Sequence, residues 1–521
     1  MAKNLNDSII YGLYPTSFFD SNGDGIGDLN GITEKLDYVK DLGVDIIWMN
    51  PFFKSPFKDG GYDIEDYCEV DKKFGTLEDF DKMIKKAHDL GLKVLLDLVI
   101  GHTSTTHKWF KESRKEKPNK YWDYFVWTDN IFVGAPNCIN GTAKRNGNYI
   151  VNYYAFQPAL NYGFLRGPER PDDPYCSDNW KIHYKDDRLK PLRQEIYDII
   201  TFWLKRGADG FRVDMTASLI KGGIDIEALK WLWGKFIDKA HETNPDAIFL
   251  AEWGHPECST ECGYDLDYLH HESVGYNALF RYDKGTNLNS GFERGHSYFN
   301  VEGLGSKKDF VDYTLNLCKT LREGAHYTIP SGYHDMIRIA ENKDVDMLKC
   351  IFAFLLTYKN VPMIYYGDEI GIKHNFKINK DGGYVRTGCR TPMQWTEGKN
   401  RGFSTKDGKL YLPVERRKGI SVEAQEKDPN SLYNFVKDLI KIRKANKVFS
   451  YNASLSVEEG DEYPFIYFRE LNGEKVKIII NPTAKQYVYD NDFVKVLYSN
   501  NTDIDEKVIL NRESFIIGVV K

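Results

Sequence analysis

Short apolar runs alternate along most of this chain with amphipathic stretches of helical period, and that alternation constrains the fold more than any other feature. The runs begin at Ile9 (IIYGLYP), Val44 (VDIIWMNP), Leu92 (LKVLLDLVI), Ala208 (ADGFRVD), Ala247 (AIFLAEW) and Val361 (VPMIYYGDE). Each is rich in β-branched or aromatic residues and ends in polar or small ones, the pattern of a buried strand. Between them lie helical patterns such as LNGITEKLDYVKDLG and TLEDFDKMIKKAHDLG. Both end in Gly, which favours a helix C-terminus, and Thr76 with Asp79 marks a helix start. Strands alternating with helices imply a parallel sheet. A β/α unit repeated through most of 521 residues predicts a (β/α)8 TIM barrel.

The pattern breaks twice. Residues 103–180 are long, aromatic and turn-rich (YWDYFVWTDN, GTAKRNGNYIVNYYAFQP, RGPERPDDPY) and read as a small domain inserted after strand 3. From residue 447 the chain changes to short alternating segments with Asn and Gly turns, such as PFIYFREL and KVKIIINP. The expected organisation is a barrel over 1–102 and 181–446, an inserted domain over 103–180, and a C-terminal antiparallel β-sandwich over 447–521.

A net charge of −6 disfavours nucleic acid and acidic membranes as partners. No apolar run is long enough to span a bilayer, and the N-terminus lacks the pattern of a signal peptide, so a cytoplasmic monomer is expected. The eight Cys (68, 138, 176, 258, 262, 318, 350, 389) are dispersed and complete no zinc site, so free buried thiols are expected. Aromatics reach 14%, which fits stacking on sugar rings but equally the filling of a large barrel core.

In such barrels chemistry sits where the strands end. Strand three ends in Asp97 with Gly101 and His102 beyond it, strand four in Arg212 and Asp214, strand five in Glu252, and YTIPSGY is followed by His334 and Asp335. Carboxylates are costly to bury unless paired or functional, and a lone one could be a structural ion pair. Several on one rim, beside an Arg, fit retaining glycoside hydrolysis. There one carboxylate attacks the anomeric carbon while another serves as acid, then base. Arg212 lies two residues before Asp214, on the same strand face, where its charge would keep Asp214 ionised.

These residues stand in motifs. DLVIGH (97–102), GFRVD (210–214), FLAEW (249–253) and YHD (333–335), with GYDIEDY (61–67), QPALN (157–161) and RTPMQW (390–395), resemble glycoside hydrolase family 13, the α-amylase family, over nearly the whole chain. The resemblance implies Asp214 as nucleophile, Glu252 as acid/base and Asp335 as a third carboxylate gripping sugar hydroxyls. It implies His102 and His334 as hydrogen-bonding partners of the same sugar, Tyr62 stacked beneath it, and Arg212 holding Asp214. GYDI with RTPMQW is similar to the oligo-1,6-glucosidase and α-glucosidase branch, where Asp63 and Arg390 would close the pocket beyond the first glucose. The implied activity is hydrolysis of α-1,4- and/or α-1,6-linked gluco-oligosaccharides. Glucosyl transfer or isomerisation, of the trehalose synthase or sucrose-active kind, and endo-acting amylase chemistry are the alternatives. Gly101 stands where the family usually has Asn, which argues against a calcium ion between barrel and insert, and MTAS after Asp214 leaves linkage preference open.

One loop alternates oxygen donors as a hard-cation site does: Asp20, Asn22, Asp24, the Ile26 carbonyl and Asp28. Structural Ca²⁺ is expected there, with Mg²⁺ as the alternative, against a turn held only by Asx hydrogen bonds. No organic cofactor is expected, since no P-loop or dinucleotide fingerprint occurs.

Overall fold

The computed structural model describes residues 5–140, 143–169, 178–283 and 295–521. Eight parallel strands close into a barrel: β1 (Ile10–Leu13), β2 (Ile46–Met49), β3 (Lys93–Leu98), β4 (Gly210–Val213), β5 (Ile248–Ala251), β6 (Leu266–Tyr268), β7 (His326–Pro330) and β8 (Val361–Tyr365). Ile10 lies opposite Ile46 on one side and Met363 on the other, which closes the ring. Six of these strands coincide with the apolar runs, and β7 precedes the SGYHD segment. β6 escaped the sequence reading because it is only three residues long and carries an Asp at its centre.

The helices pack as their patterns predict. Leu29–Leu42 starts on Asp28, whose carboxylate accepts the Gly31 N–H, and ends at Gly43 in the left-handed region (φ 96°). Leu77–Asp89 starts on a reciprocal Thr76–Asp79 capping box.

After β3 the chain leaves the barrel through a short helix (Lys108–Ser113) and a two-stranded ribbon (Cys138–Ile139 with Tyr149–Ile150). It returns at the helix Lys190–Lys205 that leads into β4. Bridges from His102 to Ala159 and from Phe164 to Lys221 tie this excursion to the barrel rim.

The C-terminal strands are β9 (Ser454–Val457), β10 (Phe465–Leu471), β11 (Glu474–Asn481), β12 (Tyr487–Asp490), β13 (Phe493–Ile504) and β14 (Lys507–Val520). Hydrogen bonding links all six into one antiparallel network, and Ile466, Ile479 and Ile516 cluster with Val508, Leu510, Tyr487 and Tyr489 in a second, smaller core. Fourteen-residue β14 pairs β12 with its first half and β11 with its second, so one long strand joins what two sheets would otherwise divide. One face packs on the barrel helix Val345–Thr357, with Phe354 stacked on Phe465 at 5.7 Å. Two buried arginines cap that helix: Arg443, on the helix Leu432–Ala445, donates to the Leu356 carbonyl (2.8 Å), and Arg469, on β10, fastens the sheet to it through the Thr357 carbonyl (2.8 Å). These are terminal carbonyls of the helix, which have no partner within it.

Seven cysteines are free thiols; Cys318 is exposed and Cys68, Cys138 and Cys258 are half-buried, which corrects the expectation of uniform burial. Cys176 lies outside the described residues. No helix among the described residues is long and apolar enough to cross a membrane.

Candidate active site

The barrel ladder delivers its polar strand ends to one rim. The Asp214 N–H donates to the Leu98 carbonyl and the Glu252 N–H to the Val213 carbonyl, each at 3.1 Å, so both residues stand one step beyond their strands. The cavity above them measures about 320 Å³ and is lined by Tyr62, His102, Asp214, Glu252 and Asp335 among others. That is the low end of small-ligand pockets.

Arg212 organises the floor. Its side chain is wholly buried and serves three carboxylates: Asp97 at 2.6 Å, Asp214 at 3.1 Å, and Glu252 in a close contact through its second terminal nitrogen. Arg212 contacts Asp214 as the motif implies, and Asp97 and Glu252 are two further carboxylates on the same guanidinium. Tyr268 accepts from Arg212 (3.0 Å) and donates to Glu252 (2.9 Å). Met215 adopts a left-handed conformation (φ 48°), rare for a side chain of its size, and its N–H thereby reaches Glu252 at 3.1 Å.

Asp214 and Glu252 sit on the two terminal nitrogens of one guanidinium and titrate as a pair. Burial, and then the charge of Glu252, push the Asp214 carboxyl well above the ordinary range. Burial acts on Glu252 in the same sense, but Arg212 and the Met215 N–H outweigh it and hold Glu252 low. The pair thus keeps one proton to a higher pH than a free carboxylate would.

Asp335 differs. Burial would raise it, but His334, Arg386 and Arg390 hold it well below the usual range. Arg390 donates to it at 2.7 Å and Arg386 lies at 3.0 Å. His334 is fixed by Asn50 (2.9 Å) and stacks on Tyr62 at 4.9 Å, while the Tyr62 hydroxyl donates to Asp97 (2.8 Å). His102 bonds the Tyr62 carbonyl (3.1 Å) and Asn152 (3.3 Å), and burial lowers it to about 4, so it is neutral.

Two assignments change. Asp63 does not pair with Arg390. It turns into its own loop, accepting from Ser55 (3.0 Å) and from the N–H groups of Lys58 and Asp59 (3.1 Å each), and burial pushes it up to about 6. Arg390 is spent on Asp335 and the His334 carbonyl. The cavity lining carries instead Asp59 and Arg386, 3.5 Å apart, with Gln157 donating to Asp59 at 2.7 Å. Both were missed, although each stands three or four residues before a motif residue already singled out, Tyr62 and Arg390.

At the junction of barrel and insert, the Lys221 ammonium donates to Asn152 (2.9 Å) and the Ser218 carbonyl (2.9 Å). A fixed cation lies where the Gly101 substitution argued against calcium.

The Asp20–Asp28 loop supplies hard oxygens, but its side chains turn to different partners. Asp20 accepts from Gly23, Gly25 and Ser404, Asp28 from Ser21 and Gly31, and Asp24 from Ile26. The Lys406 ammonium bonds the Asp24 carbonyl. Among the described residues no three acidic, His or Cys side chains converge as a metal site would need.

The alpha-amylase catalytic-domain model matches residues 12–452. The chain belongs to the alpha-amylase family. This alpha-amylase family chain is 31% identical to an oligo-1,6-glucosidase of Parageobacillus thermoglucosidasius, over 96% of this chain and 95% of that one. It is 30% identical to a trehalose synthase/amylase of Mycolicibacterium smegmatis, over 90% and 81%. A trehalulose synthase from Pseudomonas mesoacidophila superposes with a TM-score of 0.79 at 26% identity, covering 99% of each chain. The protein is an alpha-amylase family glycoside hydrolase by these relations.

Proposed function

We propose that the protein is a retaining α-glucosidase acting on short α-1,4- and/or α-1,6-linked gluco-oligosaccharides through a covalent glucosyl-enzyme. One observation carries this reading: Asp214 and Glu252 meet on the two terminal nitrogens of one guanidinium, that of Arg212, which brings the two carboxyl groups close together. Inverting enzymes separate their carboxyl groups by roughly 6.5–9.5 Å to admit a water, whereas retaining ones keep them close.

In this reading Asp214 attacks the anomeric carbon while the departing oxygen takes a proton from Glu252. Glu252 then takes a proton from water, whose oxygen attacks the glucosyl ester and frees Asp214. The single proton of the pair must lie on Glu252 at the start. In the sugar-free pocket Arg212, Tyr268 and Met215 favour its ionised form. A glycosidic oxygen at Glu252 and an electron-poor carbon at Asp214 reverse that preference. Asp335, held ionised, accepts from sugar hydroxyls, and the Asp59–Arg386 wall limits the donor site to a chain end.

Incubation with maltose, isomaltose, panose, sucrose and starch, with product anomers resolved in time, tests the reading. Early α-glucose from short substrates is expected; β-glucose, or random oligosaccharides from starch, contradict it. Glucosyl transfer or isomerisation is the second reading, favoured by the trehalose synthase/amylase relative. It uses the same glucosyl-enzyme and differs in excluding water; trehalose or a sucrose isomer without net glucose would establish it. A cytoplasmic monomer remains the working state. For the Asp20–Asp28 loop the proposal is a structural role only, with Ca²⁺ or Mg²⁺ entering only where Lys406 leaves the Asp24 carbonyl.

A further inference from the structure

β5 and β6 pair only through Leu250–Leu266 and Ala251–Asp267. Beyond Ala251 the chain carries Glu252 and then three peptides with no strand beside them. The Asp267 side chain takes the strand's place. Its Oδ1 accepts from the N–H groups of Trp253 and Gly254, both at 3.1 Å, and its Oδ2 from the His255 N–H at 3.0 Å and the Ser259 hydroxyl at 2.9 Å. Asp267 is 0% exposed and, among the described residues, forms no ion pair with Lys, Arg or His.

A buried carboxylate without a cation is costly, and a purely apolar strand centre would avoid the cost. Four donors converging on one side chain explain its presence. Only a carboxylate offers enough acceptor sites with no donor of its own; an amide would turn an NH₂ toward N–H groups. Burial raises Asp267 to about 7, with the loop N–H groups and Ser259 opposing the rise.

The neighbouring residue completes the arrangement. Tyr268, next along β6, donates to the Glu252 carboxylate (2.9 Å), and Ser273 donates to the Gly254 carbonyl (2.9 Å). The Glu252 peptide is held on its other side by Val213. Glu252 is thus fixed at its backbone by Val213 and Asp267 and at its carboxyl by Tyr268.

We propose that Asp267 is a positioning residue for Glu252: its carboxylate locks the loop 253–259 and thereby aims the Glu252 carboxyl at the departing oxygen. The inference rests on the reading of Glu252 as the acid. A misaimed acid harms substrates whose leaving group needs a proton and spares those whose leaving group does not. A merely structural role harms both alike.

The test compares kcat/KM, which reports the glycosylation step, for maltose and for α-glucosyl fluoride. Asp267→Asn is measured beside the native enzyme and Glu252→Gln. Asp267→Asn is expected to lose roughly 10–100-fold on maltose, within the range a general acid supplies, and less than about 5-fold on the fluoride. Equal losses on both substrates, with Glu252→Gln discriminating between them, overturn the inference. If Glu252→Gln does not discriminate either, the acid assignment itself falls and the inference with it. Should Asp267→Asn not fold, Ser259→Ala removes one of the four donors; it must show the same bias at smaller size, and equal values for both substrates overturn the proposal.

Discussion

Arg386 reaches Asp335 at 3.0 Å with one terminal nitrogen and Asp59 at 3.5 Å with the other. One guanidinium therefore links Asp335 to Asp59 across the cavity lining. Tyr154 adds to this corner, accepting from Arg386 at 3.0 Å.

Arg386→Ala is expected to cut kcat/KM on maltose and isomaltose by about 10–100-fold, the loss of one or two charge-assisted bonds. Longer chains, which contact more of the cleft, should lose less. Kinetics across a ladder of chain lengths checks this; equal losses at every length contradict the wall. Asp63→Ala should instead lower Tm and leave the chain-length profile unchanged, because Asp63 serves its own loop.

Much of this site was legible because barrel chemistry sits at strand ends, and strand ends can be found from hydrophobic runs. Asp214, Glu252 and Asp335 were all located that way. Specific partners were not legible. Asp63 and Arg390 both stand in suggestive motifs, yet which carboxylate meets which arginine depends on loop paths that no periodicity encodes. The three-residue strand β6 was invisible for a related reason: the buried Asp267 breaks its apolar pattern.

Glu369 gives a pH signature of stability. It is fully buried beyond β8, accepts from the Tyr11 and Tyr38 hydroxyls (2.7 Å each) and is raised by burial to about 7. The native state then binds a proton that the unfolded chain releases between roughly pH 4.5 and 7, so stability falls as pH rises through that window. Glu369→Gln removes this dependence. Chemical unfolding at pH 5 and pH 8 should show the variant losing up to about 3 kcal/mol less than the native protein; identical losses refute the assignment.

The cation loop makes its own prediction. With Lys406 on the Asp24 carbonyl, EDTA should leave Tm within about 1 °C, the shift that roughly 1 kcal/mol brings in a domain as large as this barrel. Lys406→Met should gain Ca²⁺-dependent stabilisation, since an ion binding only the folded state raises Tm. A large fall in native Tm on chelation would show that a metal, not Lys406, holds the loop.

Asp214→Asn should keep sugar binding while kcat falls by several orders of magnitude, because the nucleophile acts only in the chemical step. Near-normal turnover would remove Asp214 from its role.

The most direct test is to trap the covalent intermediate. Treating the protein with 5-fluoro-α-glucosyl fluoride, which forms a glycosyl-enzyme faster than it hydrolyses, and mapping the labelled peptide by mass spectrometry locates the nucleophile. One fluoroglucosyl group is expected, on the peptide carrying Asp214. A label on another residue, or turnover with no covalent adduct and release of the β-anomer, would contradict this assignment.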